Sequence, residues 1–236
     1  MSNCHHFQNQ NNISKLCLSI VPIFQELNQQ EMEEVATLSH HRKYQKSEFI
    51  FQAGEPSQHL LIVHTGRVKI YRLSDSGKEQ LIRILEPGDF LGELSLFSQQ
   101  ESDSYAESLA ATEICSIHRT SIRDLLLKYP SISLKLLGQL SQRLEKTEKL
   151  VGQLSLQDVE KRTASYLVEL AAKGGQDAMV TLPMSKKDLS SHLGTTQETI
   201  SRRLSSFQER GWIDQTGQRN IRVINIEALR QIAEEK

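Results

Sequence analysis

SKKDLSSHLGTTQETISRRLSSFQERG, residues 185–211, decides how the chain folds at its C-terminal end. Leu189 and Leu193 stand four apart, on one face of a short helix, and Gly194 after them permits a sharp turn. Ile200, Leu204 and Phe207 recur at helical spacing and anchor a second helix. Thr196, Gln197, Glu198, Ser201, Arg202 and Ser205 are left facing outward on the N-terminal half of that second helix. Such a pair, with anchors in register across a glycine turn, spells a helix-turn-helix, whose second helix enters the major groove by its N-terminal half. The side chains suit that task. Arginine can clamp guanine O6 and N7, glutamate can accept from cytosine N4, and serine or glutamine can reach other base edges. Gln197, Glu198, Ser201 and Arg202 are therefore the candidate base readers. Ser185, Lys186, Lys187, Thr195, Thr196 and Arg203 are placed to hold phosphates.

Around this core the pattern extends in both directions. Residues 159–175 (VEKRTASYLVELAAKGG) read as a further helix, and residues 212–229 (WIDQTGQRNIRVINIEAL) as a strand, a Thr-Gly turn and a second strand. Three helices with a trailing hairpin make a winged helix. Upstream, residues 131–155 carry Leu137, Leu140, Leu144, Thr147, Val151 and Leu154 in steps of three and four, the a/d seam of a coiled coil. A helix packing only on its own domain needs no such regular period, so this one predicts dimerisation. Before Tyr129-Pro130 the period changes. Residues 48–97 are short apolar runs punctuated by AGE, TGR, DSGK and PGD, the cadence of a small β-barrel or sandwich, with further strands over 104–119. Residues 21–44 read as one helix with Phe24, Leu27, Met32, Val35 and Leu38 on a face and His40 and His41 at its C-terminal end, where cations favour the helix dipole.

The composition agrees with two modest domains. The chain has 236 residues and a formal net charge of −1, with 24% charged and 38% hydrophobic residues. No apolar run approaches the ~20 residues of a membrane span, and no basic-then-apolar signal opens the chain, so the expectation is a cytoplasmic protein without a membrane role. In that compartment three cysteines read as reduced, metal-bound or redox-active thiols. An enzyme reading finds no nucleophile–base pair, phosphate loop or zinc-hydrolase motif. The winged helix argues against it, and also against a cyclic-nucleotide-binding regulatory subunit.

QETISRRLSSFQERG, the glycine punctuation at Gly54, Gly66, Gly77, Gly88 and Gly92, and the long helix together resemble the CRP/FNR family of bacterial transcription regulators over almost the whole chain. The resemblance implies an α+β fold: a mobile Cys/His arm (1–20), a cyclic-nucleotide-type β-roll of jelly-roll type (21–130), a dimerisation helix (131–156) and a winged helix-turn-helix (157–236). It implies a homodimer on a palindromic promoter site in double-stranded DNA, acting on RNA polymerase. Glu198, Ser201 and Arg202 match the E-x-x-S-R signature of the FNR branch. The implied half-site is similar to TTGAT, with Glu198 and Arg202 on the C·G pair of its TGA core; Gln197 departs from the family pattern.

Gly92, Glu93 and Leu94 look like the start of the family's cyclic AMP phosphate cassette. A buried phosphate needs a guanidinium or several N–H donors. Between Arg83 and Arg119 there is no Arg or Lys, and Glu101, Asp103 and Glu107 would repel a phosphate. The sequence therefore predicts a vestigial pocket that does not take cyclic AMP, with another small molecule as an alternative.

Cys115 aligns with the cysteine that the FNR branch uses in its barrel to hold an iron–sulfur cluster, and Cys17 with the last of that branch's N-terminal cluster cysteines. Four thiolates usually hold such a cluster, and this chain has only Cys4, Cys17 and Cys115. Three functional readings stay open. One is a reversible disulfide between Cys115 and Cys4 or Cys17, similar to the FNR-like proteins of lactic-acid bacteria and their relatives. Another is a zinc or iron site from Cys4, Cys17, Cys115 and His5 or His6. The third is an atypical cluster with one non-cysteine ligand. Inert, buried thiols are the bland alternative.

Overall fold

The computed structural model describes residues 17–93, 97, 101–173 and 179–234. They form two compact units: residues up to Leu73 together with Ile82–Arg143, and Ser74–Leu81 together with the residues from Leu144 onward.

Among the described residues eight strands build the β-roll: β1 (Ser39–Tyr44), β2 (Phe49–Phe51), β3 (His59–Thr65), β4 (Val68–Leu73), β5 (Glu79–Leu85), β6 (Phe90–Leu91), β7 (Tyr105–Ser108) and β8 (Thr112–His118). They make two four-stranded sheets, ordered β1-β8-β3-β6 and β2-β7-β4-β5. Side chains alternate along β8 because a strand repeats every two residues. Ile114 points between the sheets, into a core with Tyr44, Val63, Val68, Ile70, Leu85, Leu91 and Ala106. Cys115 and Ile117 point the other way, into a second cluster with Leu60, Ile62 and Phe90. That cluster is closed by Cys17, Leu18, Val21, Ile23 and Phe24 from the N-terminal segment, and by three helices. These are α1 (Gln29–Thr37), α2 (Arg119–Lys128) and the start of α3 (Pro130–Leu156).

The helix expected over 21–44 is a correction. A 3-10 turn covers Pro22–Phe24, α1 begins at an Asn28/Glu31 capping box, and the chain becomes strand at Ser39. His40 and His41 therefore lie on β1, opposite Ser116 and Cys115, and not at a helix end. Pairing with β8 outweighs the local pattern, since SHHRKY offers a helix no apolar stripe of its own. α2 is an additional element beyond those the pattern predicts, and its trace is Ile122 and Leu125, buried at helical spacing. The α2–α3 break falls where Tyr129 precedes Pro130, which disfavours helical backbone at Tyr129 and suits the first helical position at Pro130.

In the second unit, the end of α3 meets α4 (Val159–Lys173) at a joint made by Arg162. Its Nη1 donates to the carbonyls of Leu154 (3.1 Å) and Gln157 (2.8 Å), which α3 itself cannot satisfy. Asp158 caps α4 by accepting from the Lys161 N–H at 2.9 Å. Then come β9 (Met179–Thr181), α5 (Lys186–His192), α6 (Gln197–Glu209), β10 (Ile213–Gln215), β11 (Asn220–Val223) and α7 (Ile226–Glu234). The wing is a three-stranded antiparallel sheet ordered β10-β11-β9. α7 was not foreseen; its signals are Asn225, which accepts from the Ala228 N–H, and the buried Leu229.

Candidate nucleic-acid interface and sulfur site

Ser185 caps α5, accepting from the Asp188 N–H at 3.1 Å, and Thr196 caps α6, accepting from the Thr199 N–H at 3.3 Å. Gly194 between them has φ +64°, and a Cβ there would stand 3.0 Å from Leu154 Cδ2, so glycine serves both the turn and the packing. Leu189, Leu193, Ile200, Leu204 and Phe207 are all buried. With that face down, Gln197, Glu198, Arg202 and Ser205 are exposed and Ser201 half-buried, one polar face along α6.

Glu198 is held ionised. Its carboxyl is lowered first by its own backbone N–H, then by the Thr196 hydroxyl and the charge of Arg202. An ionised Glu198 is an acceptor only, as contact with a cytosine amino group requires. Of the expected phosphate contacts, Lys187 is exposed and Thr195 half-buried, while Ser185 and Thr196 spend their hydroxyls on caps. Lys186 Nζ donates to Gln215 Oε1 at 2.7 Å. Arg203 turns away from the reading face to Glu160 of α4 (2.9 Å), a partner 43 residues away that local spacing could not reveal.

The expected seam of α3 separates into two rows. Leu137, Leu144 and Val151, seven residues apart, are 60%, 59% and 58% exposed. Leu140 packs against the first unit's cluster, Leu154 is half-buried and Thr147 is exposed.

At Gly92-Glu93 the chain meets charge from elsewhere in the sequence, and Leu94 lies outside the described residues. Gly92 (φ +89°) passes so close to the His59 carbonyl that a Cβ would stand 2.2 Å from it. This brings the buried Glu93 to Arg143 of α3, whose guanidinium donates to Glu93 Oε1 and, at 3.3 Å, to the Phe90 carbonyl. Arg83 approaches the same oxygen at 3.6 Å. Burial pushes the Arg83 guanidinium down, and the like charge of Arg143 adds to this. The empty 83–119 interval gives no sign of Arg143, which arrives from 50 residues downstream of Glu93. Glu93 holds both guanidinium groups, and the charge of Asp89 also acts on Arg83. A cavity of about 250 Å³ opens elsewhere in the roll, beside Arg42, Tyr44, Phe51, His59 and Ser116, and is smaller than most ligand sites. Arg143→Met would leave Glu93 buried with Arg83 alone; a loss of about 2–3 kcal/mol in urea denaturation is the expected result.

Cys17 and Cys115 form a disulfide with Cα atoms 6.7 Å apart, closing a separation of 98 residues. Both are fully buried in the cluster that also contains Ile132 and Leu136 of α3. Cys4, His5 and His6 lie outside the described residues. Among the described residues no group of three or more His, Cys, Asp or Glu is arranged to hold a metal ion. With two of its three thiols bonded to each other, the chain's donor set does not fit a four-thiolate cluster. The remaining histidines have ordinary roles: His118 caps α2, and burial lowers His59, His64 and His192.

A β-roll followed by a long helix and a winged helix-turn-helix defines a class, the two-domain DNA-binding transcription regulators. The family model for the cyclic nucleotide-binding domain matches residues 41–129, and that for the Crp-like helix-turn-helix domain matches residues 161–232. The chain is 36% identical over 217 residues to the probable transcriptional regulator flp of Lacticaseibacillus casei, covering 92% of this chain and 98% of that one. It is 30% identical over 210 residues to the anaerobic regulatory protein of Haemophilus influenzae, 87% of this chain and 79% of that one. Its fold is similar to that of FixK2 from Bradyrhizobium japonicum, with a TM-score of 0.73 and 28% identity over 82% of this chain and 96% of that chain. The chain belongs to the CRP/FNR family of transcription regulators, and is not an enzyme. Among the described residues no helix is long and apolar enough to cross a membrane.

Proposed function

We propose that the protein is a cytoplasmic homodimeric regulator that reads a TTGAT–ATCAA palindrome and adjusts its DNA affinity to the redox state of Cys17 and Cys115. The observation that carries this reading is the place of the disulfide. It joins the N-terminal segment to β8 inside the same apolar cluster that seats Ile132 and Leu136 of α3. Closing the bond passes two electrons and two protons from the thiol pair to an oxidant, molecular oxygen or a low-molecular-weight disulfide, and fastens residues 17–24 over that cluster. The ordered cluster fixes the inner face of α3, while the row Leu137, Leu144, Val151 on the same helix meets a second copy. The bridged form is then the DNA-binding form. Residues 21–130 serve as the sensor, 131–156 as the dimer helix and 157–236 as the reader, which acts on RNA polymerase at the promoter. Arg143 and Arg83 are engaged by Glu93 instead of a cyclic phosphate, so cyclic AMP has no part in the switch.

Gel shifts on the palindrome with oxidised and reduced protein test the whole reading. Absence of binding in both states sinks it. Arg202→Ala is expected to cost about 1–3 kcal/mol of binding and to relax discrimination at the G·C pair of the half-site. An unchanged affinity and base preference would remove Arg202 from the reading role.

A further inference from the structure

Glu160, in the first turn of α4, holds two arginines of the reading element at once. Its Oε2 accepts from Arg203 Nη1 and its Oε1 from Arg210 Nη1, each at 2.9 Å. The carboxylate is only 19% exposed, whereas the two arginines are 41% and 43% exposed. Arg210 also lies over the Trp212 ring, 4.9 Å from its centroid, so the bridge spans from α4 across α6 to the start of the wing. Arg203 follows Arg202 directly, one step round the helix from the base-reading face.

We infer that Glu160 is a specificity-determining positioning residue that withholds Arg203 and Arg210 from DNA phosphates. A cation on a recognition helix that is free to reach any phosphate strengthens binding to every sequence alike, and so dilutes discrimination. Arg203 and Arg210 lie on one side of α6 next to the reading face, and their partly exposed guanidinium groups could swing to the backbone if released. Shared between them, the Glu160 carboxylate keeps both turned to α4. Sequence reading is then left to Glu198, Ser201 and Arg202. The inference rests on the DNA-reading assignment of α6, although its principal readout does not need the proposed half-site.

The test measures binding of the full chain to a labelled TTGAT–ATCAA duplex and to a scrambled duplex over a range of salt. Glu160→Gln keeps the size of the side chain and removes the charge. With both arginines released, the slope of log affinity against log salt on the scrambled duplex is expected to steepen by about 1–2. Scrambled-duplex affinity at low salt is expected to rise by roughly tenfold, with the ratio of palindrome to scrambled affinity falling accordingly. Adding Arg203→Gln and Arg210→Gln to Glu160→Gln should return the slope to its original value. A variant with unchanged slope and unchanged ratio overturns the inference. So does uniform weakening on both duplexes at constant slope, the mark of a bridge that only supports packing. If the unaltered protein fails to prefer the palindrome, the half-site assignment fails, while the slope on scrambled DNA still judges Glu160.

Discussion

Reduction of the Cys17–Cys115 bridge is expected to lower both the stability of the protein and its affinity for the palindrome. The bond closes a separation of 98 residues, and opening it returns loop entropy to the unfolded chain, worth up to about 4–5 kcal/mol. In urea, the reduced protein should unfold at lower denaturant with a larger m value, because its unfolded state is no longer held compact. DNA affinity should fall by roughly 5- to 150-fold, the ordinary range for coupling between two sites in one protein. Both sulfurs sit at zero exposure, so a thiol reductant must wait for residues 17–24 to open. Mild denaturant is therefore expected to hasten reduction. Cys17→Ala is the sharper variant than Cys17→Ser, because it puts no unpaired hydroxyl into the apolar cluster. It should bind DNA like the reduced protein and ignore oxidants, while Cys4→Ser should keep the response. Equal affinity of the oxidised and reduced forms, or a redox response retained in Cys17→Ala, would remove the switch.

The reading element was legible in the sequence because its logic is local. Leu189, Leu193, Gly194, Ile200, Leu204 and Phe207 lie within 19 residues, and helical spacing alone orders them. In α3 the helical period was local too, but the pattern did not separate Leu140, which packs on the chain's own cluster, from the exposed Leu137, Leu144 and Val151. Contacts made at long range left no such trace. β1 was read as helix because its partner β8 lies more than seventy residues on, where Cys115 faces His41. Glu93 gave no sign of Arg143, nor Glu160 of Arg203 and Arg210, since each ion pair joins elements 43 to 50 residues apart. The sulfur site falls between these cases. Its residues were visible, and the resemblance pointed to Cys115, but choosing Cys17 over Cys4 needed the packing of Leu18, Val21 and Phe24 beside it.

Leu144→Lys is expected to convert the protein into a folded monomer that no longer holds the palindrome. Leu137, Leu144 and Val151 form a straight apolar row on α3, each more than half exposed in the single chain. Three aliphatic side chains in line on one helix mark a surface that water does not favour, and the heptad spacing fits a second copy of the same helix. Burying the rest of each side chain contributes roughly 1 kcal/mol, and a two-fold pair doubles the count. Leu144 is the middle of the row, so lysine there sets two ammonium groups against each other across the axis and removes two central leucines. Because the side chain does not enter the chain's own core, the fold should survive: a melting transition close to the original is expected alongside half the mass in light scattering. Losing the dimer removes the advantage of binding both half-sites at once, worth about 10²- to 10⁴-fold in affinity. Binding to a single half-site should change little. Leu127→Lys on α2, at an even more exposed leucine off the row, is the control and should leave mass and DNA affinity unaltered. A Leu144→Lys protein that keeps its mass would move the dimer contact away from α3, and a true monomer that still bound the palindrome tightly would show that one reader suffices.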